Sequence, residues 1–218
     1  SGVTSIGKEA FSDCTDLAAI TIGDSVTAIG DYAFYNCTSL TTAMIGNSVT
    51  NIGEWAFSDC SSLTSVIIPD SVTSLGNASF AFCDALASVT IGDGVISIGR
   101  EAFYRCAALT SAIIGNSVTD IDSEAFAECT SLSSVLFTGN VPTAIGLYVF
   151  RGTSAVIYYP PDTLGWGASF AERPAVCWNP AFSPATPPRL SAGTFSFALI
   201  GNADIPVRIE ACDSLTSP

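Results

Sequence analysis

There is no histidine anywhere in these 218 residues. That removes the commonest general base and the commonest metal ligand together. Basic residues are scarce: seven Lys and Arg against 20 Asp and Glu, a net charge of -13. Nucleic-acid binders need a basic surface to neutralise phosphates, so this balance argues against them. It argues equally against electrostatic docking on anionic lipid. No apolar run approaches the roughly 18–20 residues that a membrane helix needs. The motifs G-x-S-x-G, H-E-x-x-H and G-x-x-x-x-G-K-[ST] are all missing, so catalysis finds little support. The group Asp120, Asp122 and Glu124 reads as a solvated acidic patch. The chain opens at Ser1, in mid-repeat, which reads as a mature or trimmed piece. The missing leader therefore carries no weight.

What is present is periodic. Cys14, Cys37, Cys60, Cys83, Cys106 and Cys129 follow one another at a fixed spacing of 23 residues. Such a period marks a solenoid built from one repeated unit. Aligned on the cysteines, the unit reads S-V-T-x-I-G-x-x-A-F-x-x-C-x-x-L-x-x-[IVA]-x-I-[GP]-[DN]. Phe11, Phe34, Phe57, Phe80, Phe103 and Phe126 share one position; Leu17, Leu40, Leu63, Leu86, Leu109 and Leu132 share another. One coil cannot bury these residues alone, whereas stacked coils place like on like and form a continuous core. The segment after each leucine, as in Ile20-Thr21-Ile22, alternates and is β-branched, which predicts a strand. Strands of successive coils should pair in parallel. Gly or Pro followed by Asp or Asn then supplies a turn. The A-F-x-x-C segment reads as a turn or a short helix.

The unit closely resembles the BspA-like, or Treponema pallidum-type, leucine-rich repeats of bacterial surface proteins. I-G-x-x-A-F-x-x-C-x-x-L is matched nearly letter for letter in residues 6–17, 29–40, 52–63 and 98–109. Two copies depart, with Ser79 in place of Ala and Asp122 in place of Gly. The resemblance implies a secreted or surface-exposed protein that adheres to proteins, cells or glycans, with no catalytic residues to carry over. It implies a right-handed α/β, β-rich leucine-rich-repeat solenoid over residues 1–160, with six full coils and a degenerate seventh. Residues 161–180 resemble the G-W-x-x-x-F…V-x-x-x-N-P tails that close such arrays. Residues 181–192 read as a Pro- and Ser-rich linker. Residues 193–218 read as a β-hairpin or truncated β-sandwich module, with strands Thr194–Ile200 and Ile205–Ala211.

Several columns are candidates for function. The cysteine ladder lacks the close pairs of zinc sites. Parallel side chains on stacked coils suit disulfides poorly, so the column reads as buried thiols that fill core volume. Cys177 and Cys212 lie outside it and could bond in an oxidising compartment. The column Asp24, Asn47, Asp70, Asp93 and Asn116 is either a calcium ladder or turn capping, and turn chemistry favours capping. The outward strand positions carry Met44, Ile67, Ile113 and Leu136, an apolar stripe on a face turned to solvent. That stripe is either an interaction surface or β propensity plus contacts to the tail. The second candidate is aromatic: Tyr32 and Trp55 at one repeat position, Tyr35 and Tyr104 at another, and Phe82 beside them.

The expected function is a non-enzymatic extracellular binding or adhesion module for protein or glycan, without cofactor, metal, nucleic-acid partner or membrane insertion. The alternative is a structural subunit that assembles head to tail into a filament or surface layer through its solenoid ends and C-terminal β segment.

Overall fold

A computed structural model describes residues 2–178 in full. Beyond them it describes the backbone pairing of four short strands only. These pair Ala181–Phe182 with Leu199–Ile200 and Arg189–Ser191 with Thr194–Ser196, both antiparallel. The second strand expected of the C-terminal hairpin, Ile205–Ala211, lies outside the described residues, as does Cys212.

Seven coils each contribute one short and one longer strand. Coil 1 carries β1 (Ser5–Ile6) and β2 (Ala19–Thr21), and coil 2 carries β3 (Ala28–Ile29) and β4 (Thr42–Met44). Coil 3 has β5 (Asn51–Ile52) and β6 (Ser65–Ile68); coil 4 has β7 (Ser74–Leu75) and β8 (Ser88–Ile91). Coil 5 has β9 (Ser97–Ile98) and β10 (Ser111–Ile114); coil 6 has β11 (Asp120–Ile121) and β12 (Ser134–Phe137). Coil 7 has β13 (Ala144–Ile145) and β14 (Val156–Tyr159), and β15 (Ser169–Phe170) and β16 (Arg173–Cys177) come after it. The short strands form one parallel sheet, β1-β3-β5-β7-β9-β11-β13. The longer ones form a second, in which β16 pairs parallel with β14 and antiparallel with β15.

Register follows the repeat: Ser65, Ser88, Ser111 and Ser134 stand side by side. Coil 7 departs from it. Asp120 pairs with Ala144, 24 residues on, and Ser134 with Val156, 22 residues on. One residue is gained before the short strand, and two are lost between Phe150 and the longer one.

The A-F-x-x-C segment is a run of turns, and no helix occurs among the described residues. Alternate amides there point along the stack. In coil 1 the amides of Glu9, Phe11 and Asp13 donate to the carbonyls of Asp31, Ala33 and Tyr35 in coil 2, while Ala10, Ser12 and Cys14 close turns within their own coil. This alternation puts two residues per coil in the left-handed region, including Tyr32, Trp55 and Phe82 at φ 56–59°. Non-glycine residues seldom accept that region; the amide ladder holds them there.

The phenylalanines form the centre of the core. Phe11, Phe34, Phe57, Phe80, Phe103, Phe126 and Phe150 stack with successive centroid distances of 5.2, 4.9, 5.1, 5.4, 5.0 and 5.5 Å. Ser79 departs from the repeat at a cost. Its hydroxyl is buried without a hydrogen-bond partner, where the other full coils place Ala. Ser79→Ala is expected to stabilise the fold by about 1 kcal/mol, because the desolvated hydroxyl gains nothing on burial. A raised urea midpoint at unchanged slope would check it.

Candidate functional site

The cysteine column does more than fill volume. The thiols of Cys37, Cys60, Cys83, Cys106 and Cys129 each donate to the carbonyl of the phenylalanine one coil back, Sγ to O 3.0–3.3 Å. These five are buried free thiols; Cys14, in the first coil, is exposed, contrary to the expectation that the whole column is covered. Burial pushes the Cys83 and Cys106 thiols up from the ordinary thiol range. An unfolded thiol ionises near pH 8.5, and these two hold their protons to higher pH in the folded state. Their contribution to stability is therefore complete below about pH 8.5 and falls as pH rises beyond it. Urea midpoints should be flat from pH 7 to 8 and drop by pH 10. A maleimide reagent should modify the five buried thiols only on unfolding.

The Asp/Asn column caps turns, but across coils. Asp24 Oδ1 accepts the Asn47 amide at 2.7 Å, Asp70 the Asp93 amide at 2.8 Å and Asp93 the Asn116 amide at 2.9 Å. These carboxylates tie coil 1 to coil 2, coil 3 to coil 4 and coil 4 to coil 5.

The aromatic candidates separate into two groups. Tyr32 stacks parallel on Trp55 at 6.1 Å, takes Tyr35 edge-on at 5.8 Å, and has the Lys8 ammonium 6.0 Å from its centroid. Burial, with Asp59 and Asp13 nearby, holds the Tyr35 phenol above its ordinary pKa, so it remains a neutral donor. Phe82 meets Tyr104 edge-on at 5.6 Å. The rings spend contact on one another, as the core phenylalanines do. Phe82 also lines a groove of about 450 Å³ with Asp84, Arg105, Ala107, Glu128 and Thr130. The five others were not singled out from the sequence. The signal was there, because Phe82, Arg105 and Glu128 occupy one repeat position and Asp84, Ala107 and Thr130 another. Glu128 is already paired with Arg151 at 3.2 Å, and Arg151 reaches Glu124 at 2.8 Å.

The outward sheet face is graded. Met44 is 60% exposed and Ile67 68%, whereas Ile113 is half-buried. Leu136 corrects the expectation of an exposed stripe: it is only 8% exposed. The cause is long-range. Leu136 pairs across the sheet with Tyr158, and Val156 and Trp178 pack on the two of them. Of the four, the side chains mostly open to solvent are therefore Met44 and Ile67 in the N-terminal coils, while past Tyr158 the same register position exposes Val176 on β16 by 42%.

There the sheet has a fault. β6, β8, β10 and β12 pair over four residues each, but β4 and β6 pair at Thr42↔Ser65 alone. The Thr64 amide lies 3.3 Å from the Thr41 carbonyl, against 2.9–3.0 Å at the same position in coils 2, 4, 5 and 6. Ile45 is half-buried, although its counterparts Ile22, Ile68, Ile91 and Ile114 are at most 4% exposed. Even Ile22, in the terminal coil, is better covered. A cleft of about 320 Å³ opens at this point, flanked by Met44 and Ile67.

Pro69 accounts for the fault twice over. Its position is glycine in most coils, and in two coils the amide there bonds to the preceding coil: Gly92 donates to Ile68 and Thr138 to Ile114, each at 2.9 Å. Proline has no hydrogen to give the Ile45 carbonyl. The position is also tight. A Cβ on Gly92 would lie 2.7 Å from the Ile68 carbonyl oxygen, and one on Gly115 still closer to that of Gly92. The Pro69 ring needs room that its glycine counterparts do not.

The repeat and its fold are shared with known proteins. The family model of the BspA type leucine rich repeat region matches in six copies, over residues 1–80 and 56–164. The chain belongs to this family. A leucine-rich repeat protein of T. pallidum is similar in structure, with 31% identity, a TM-score of 0.64, and 69% of this chain and 70% of that one covered. One from Bacteroides ovatus shows 29% identity and a TM-score of 0.61 over 74% of this chain and 48% of that one, so the chain spans about half its length. One from Eubacterium ventriosum, at 24% identity and a TM-score of 0.55, shares the fold over 69% of this chain and 46% of that one. No curated protein matches the sequence. Among the described residues no helix is long and apolar enough to cross a membrane.

Proposed function

We propose that this BspA-type solenoid is a non-enzymatic extracellular binding or adhesion module, displayed at a bacterial surface, that engages a protein partner through the outward face of its longer sheet. The observation that carries the reading is the pair Met44 and Ile67, two large apolar side chains mostly exposed beside a cleft, on coils otherwise locked to their neighbours. Exposed apolar groups on a rigid frame lose little entropy on contact and suit an interface core. The aromatic face supports a glycan reading less, because Tyr32, Tyr35 and Trp55 already engage one another.

The test is an array of extracellular-matrix proteins, serum proteins and glycans probed with the chain, its Met44→Asp/Ile67→Asp variant and its Tyr32→Ala/Trp55→Ala variant. Saturable binding to a protein, lost in the sheet variant and kept in the aromatic one, is expected. Binding lost only in the aromatic variant would move the site to the turns.

Self-assembly is the second reading. Polymers growing with concentration in dilute solution, without any ligand, would favour assembly over adhesion.

A further inference from the structure

The cleft between coils 2 and 3 has a chemistry that narrows its occupant, and its role in partner binding rests on the sheet-face reading of the solenoid. Its side walls are apolar, Met44 and Ile67, and Ile45, Pro69 and the polar Asn47 also line it. Thr42 and Ser65 close one end, where the two strands still pair. The Ile45 carbonyl meets a proline where the equivalent Ile68 carbonyl meets the amide of Gly92. An occupant that stabilises this cleft must therefore bring an apolar body and one N–H donor.

We infer that the cleft is a docking site for a tryptophan side chain of a partner protein, its indole lying between Met44 and Ile67 and its N–H replacing the strand amide that Pro69 lacks. The indole N–H is donor-only and planar, like the amide it replaces. Lysine or arginine would bring a charge against apolar walls. The thioether of Met44 adapts to an aromatic ring and gains from contact with it. A cleft of about 320 Å³ is large enough for the bicyclic ring. Charge sets the flanks of the partner. Asp24, Asp70 and Asp93 are exposed on the turns that succeed the strands, in a chain of net charge -13. Lysine or arginine beside the tryptophan complements them and speeds the encounter. The seam thus takes up one anchor of the kind that dominates protein interfaces.

Met44 is the only methionine in the chain, so a sample labelled with ¹³C at the methionine methyl gives one signal, placed on the cleft wall. The probes are 3-methylindole and its isomer 1-methylindole, which differ in whether the N–H is present. Titration with 3-methylindole is expected to move the Met44 methyl signal upfield and to saturate in the millimolar range. The 1-methyl isomer should bind about fivefold to tenfold more weakly, the value of one hydrogen bond. Pro69→Gly, which restores the donor and the glycine of the column, should weaken 3-methylindole at least tenfold. Ile67→Ser, on the surface, provides a second variant that leaves the ladder intact and should weaken it as well. No saturable shift, equal affinity for the isomers, or undiminished binding to Pro69→Gly would each overturn the inference. The small probe also separates this proposal from the one it rests on. Indole binding without any macromolecular partner would remove the adhesion reading and leave the cleft. Partner binding that 3-methylindole neither mimics nor displaces would remove the cleft and leave adhesion.

Discussion

Phe80→Ala is expected to cost about 3–5 kcal/mol, among the largest effects of any single truncation in this chain. The ring is fully buried at the middle of the stack, between Phe57 at 5.1 Å and Phe103 at 5.4 Å, nearly parallel to both. Truncation removes the transfer free energy of the ring, leaves a cavity, and severs two aromatic contacts. In a solenoid each coil contacts only its neighbours, so a central weak coupling divides the array. Urea unfolding should show a lower midpoint and a broadened transition as the two halves lose their coupling. Phe11→Ala is the matched control. Its ring is 38% exposed and stacks on one neighbour only, so it should cost about 1 kcal/mol. Equal losses at the two positions would contradict the stacked-core account.

The second large effect is expected at the other end of the core. Trp166→Ala should cost about 3–5 kcal/mol. The indole stacks on Tyr159 at 4.9 Å, lies against Phe137 at 5.0 Å and Phe170 at 5.2 Å, and donates from Nε1 to the Gly139 carbonyl at 3.1 Å. It covers the last coils, beyond which only β15 and β16 continue the longer sheet among the described residues. Its loss uncovers core rings, so a hydrophobic dye should bind and the chain should associate as concentration rises. Trp166→Phe keeps a ring and loses the hydrogen bond, so it should recover most of the stability and remain about 1 kcal/mol short. An alanine variant as stable as the parent would mean that the core end is closed by something else.

The stack was legible in the sequence because a fixed period carries both composition and register. Placing Cys14, Cys37 and Cys60 at equal spacing aligns every other column, and the observed strand register repeats that alignment. Contacts between coils were less legible. The column position of Asp24 and Asp70 suggests a turn cap, yet only the fold shows that the amide capped belongs to the next coil. The thiol-to-carbonyl bonds of the cysteine column are likewise a product of stacking, since Cys60 and Phe34 are 26 residues apart. Leu136 shows where a local pattern fails. Alternation along β12 turns it outward correctly, but its exposure is decided by Tyr158 and Trp178, far along the chain. The candidate site behaves in the opposite way. Alternation along their strands turns Met44 and Ile67 outward, and they are the most exposed members of their stripe. The cleft between them depends on one residue, Pro69, whose missing hydrogen and added ring matter only once a glycine-lined neighbour is stacked against it.

The central claim is that this regular stack presents one irregular seam to a protein partner. Selection of a random peptide display library on the intact chain, with counter-selection on Pro69→Gly, tests it most directly. The account predicts enrichment of peptides that carry tryptophan flanked by lysine or arginine, bound by the parent and lost by Pro69→Gly and by Ile67→Asp. Enriched peptides without tryptophan, or peptides that bind Pro69→Gly as well as the parent, would contradict it.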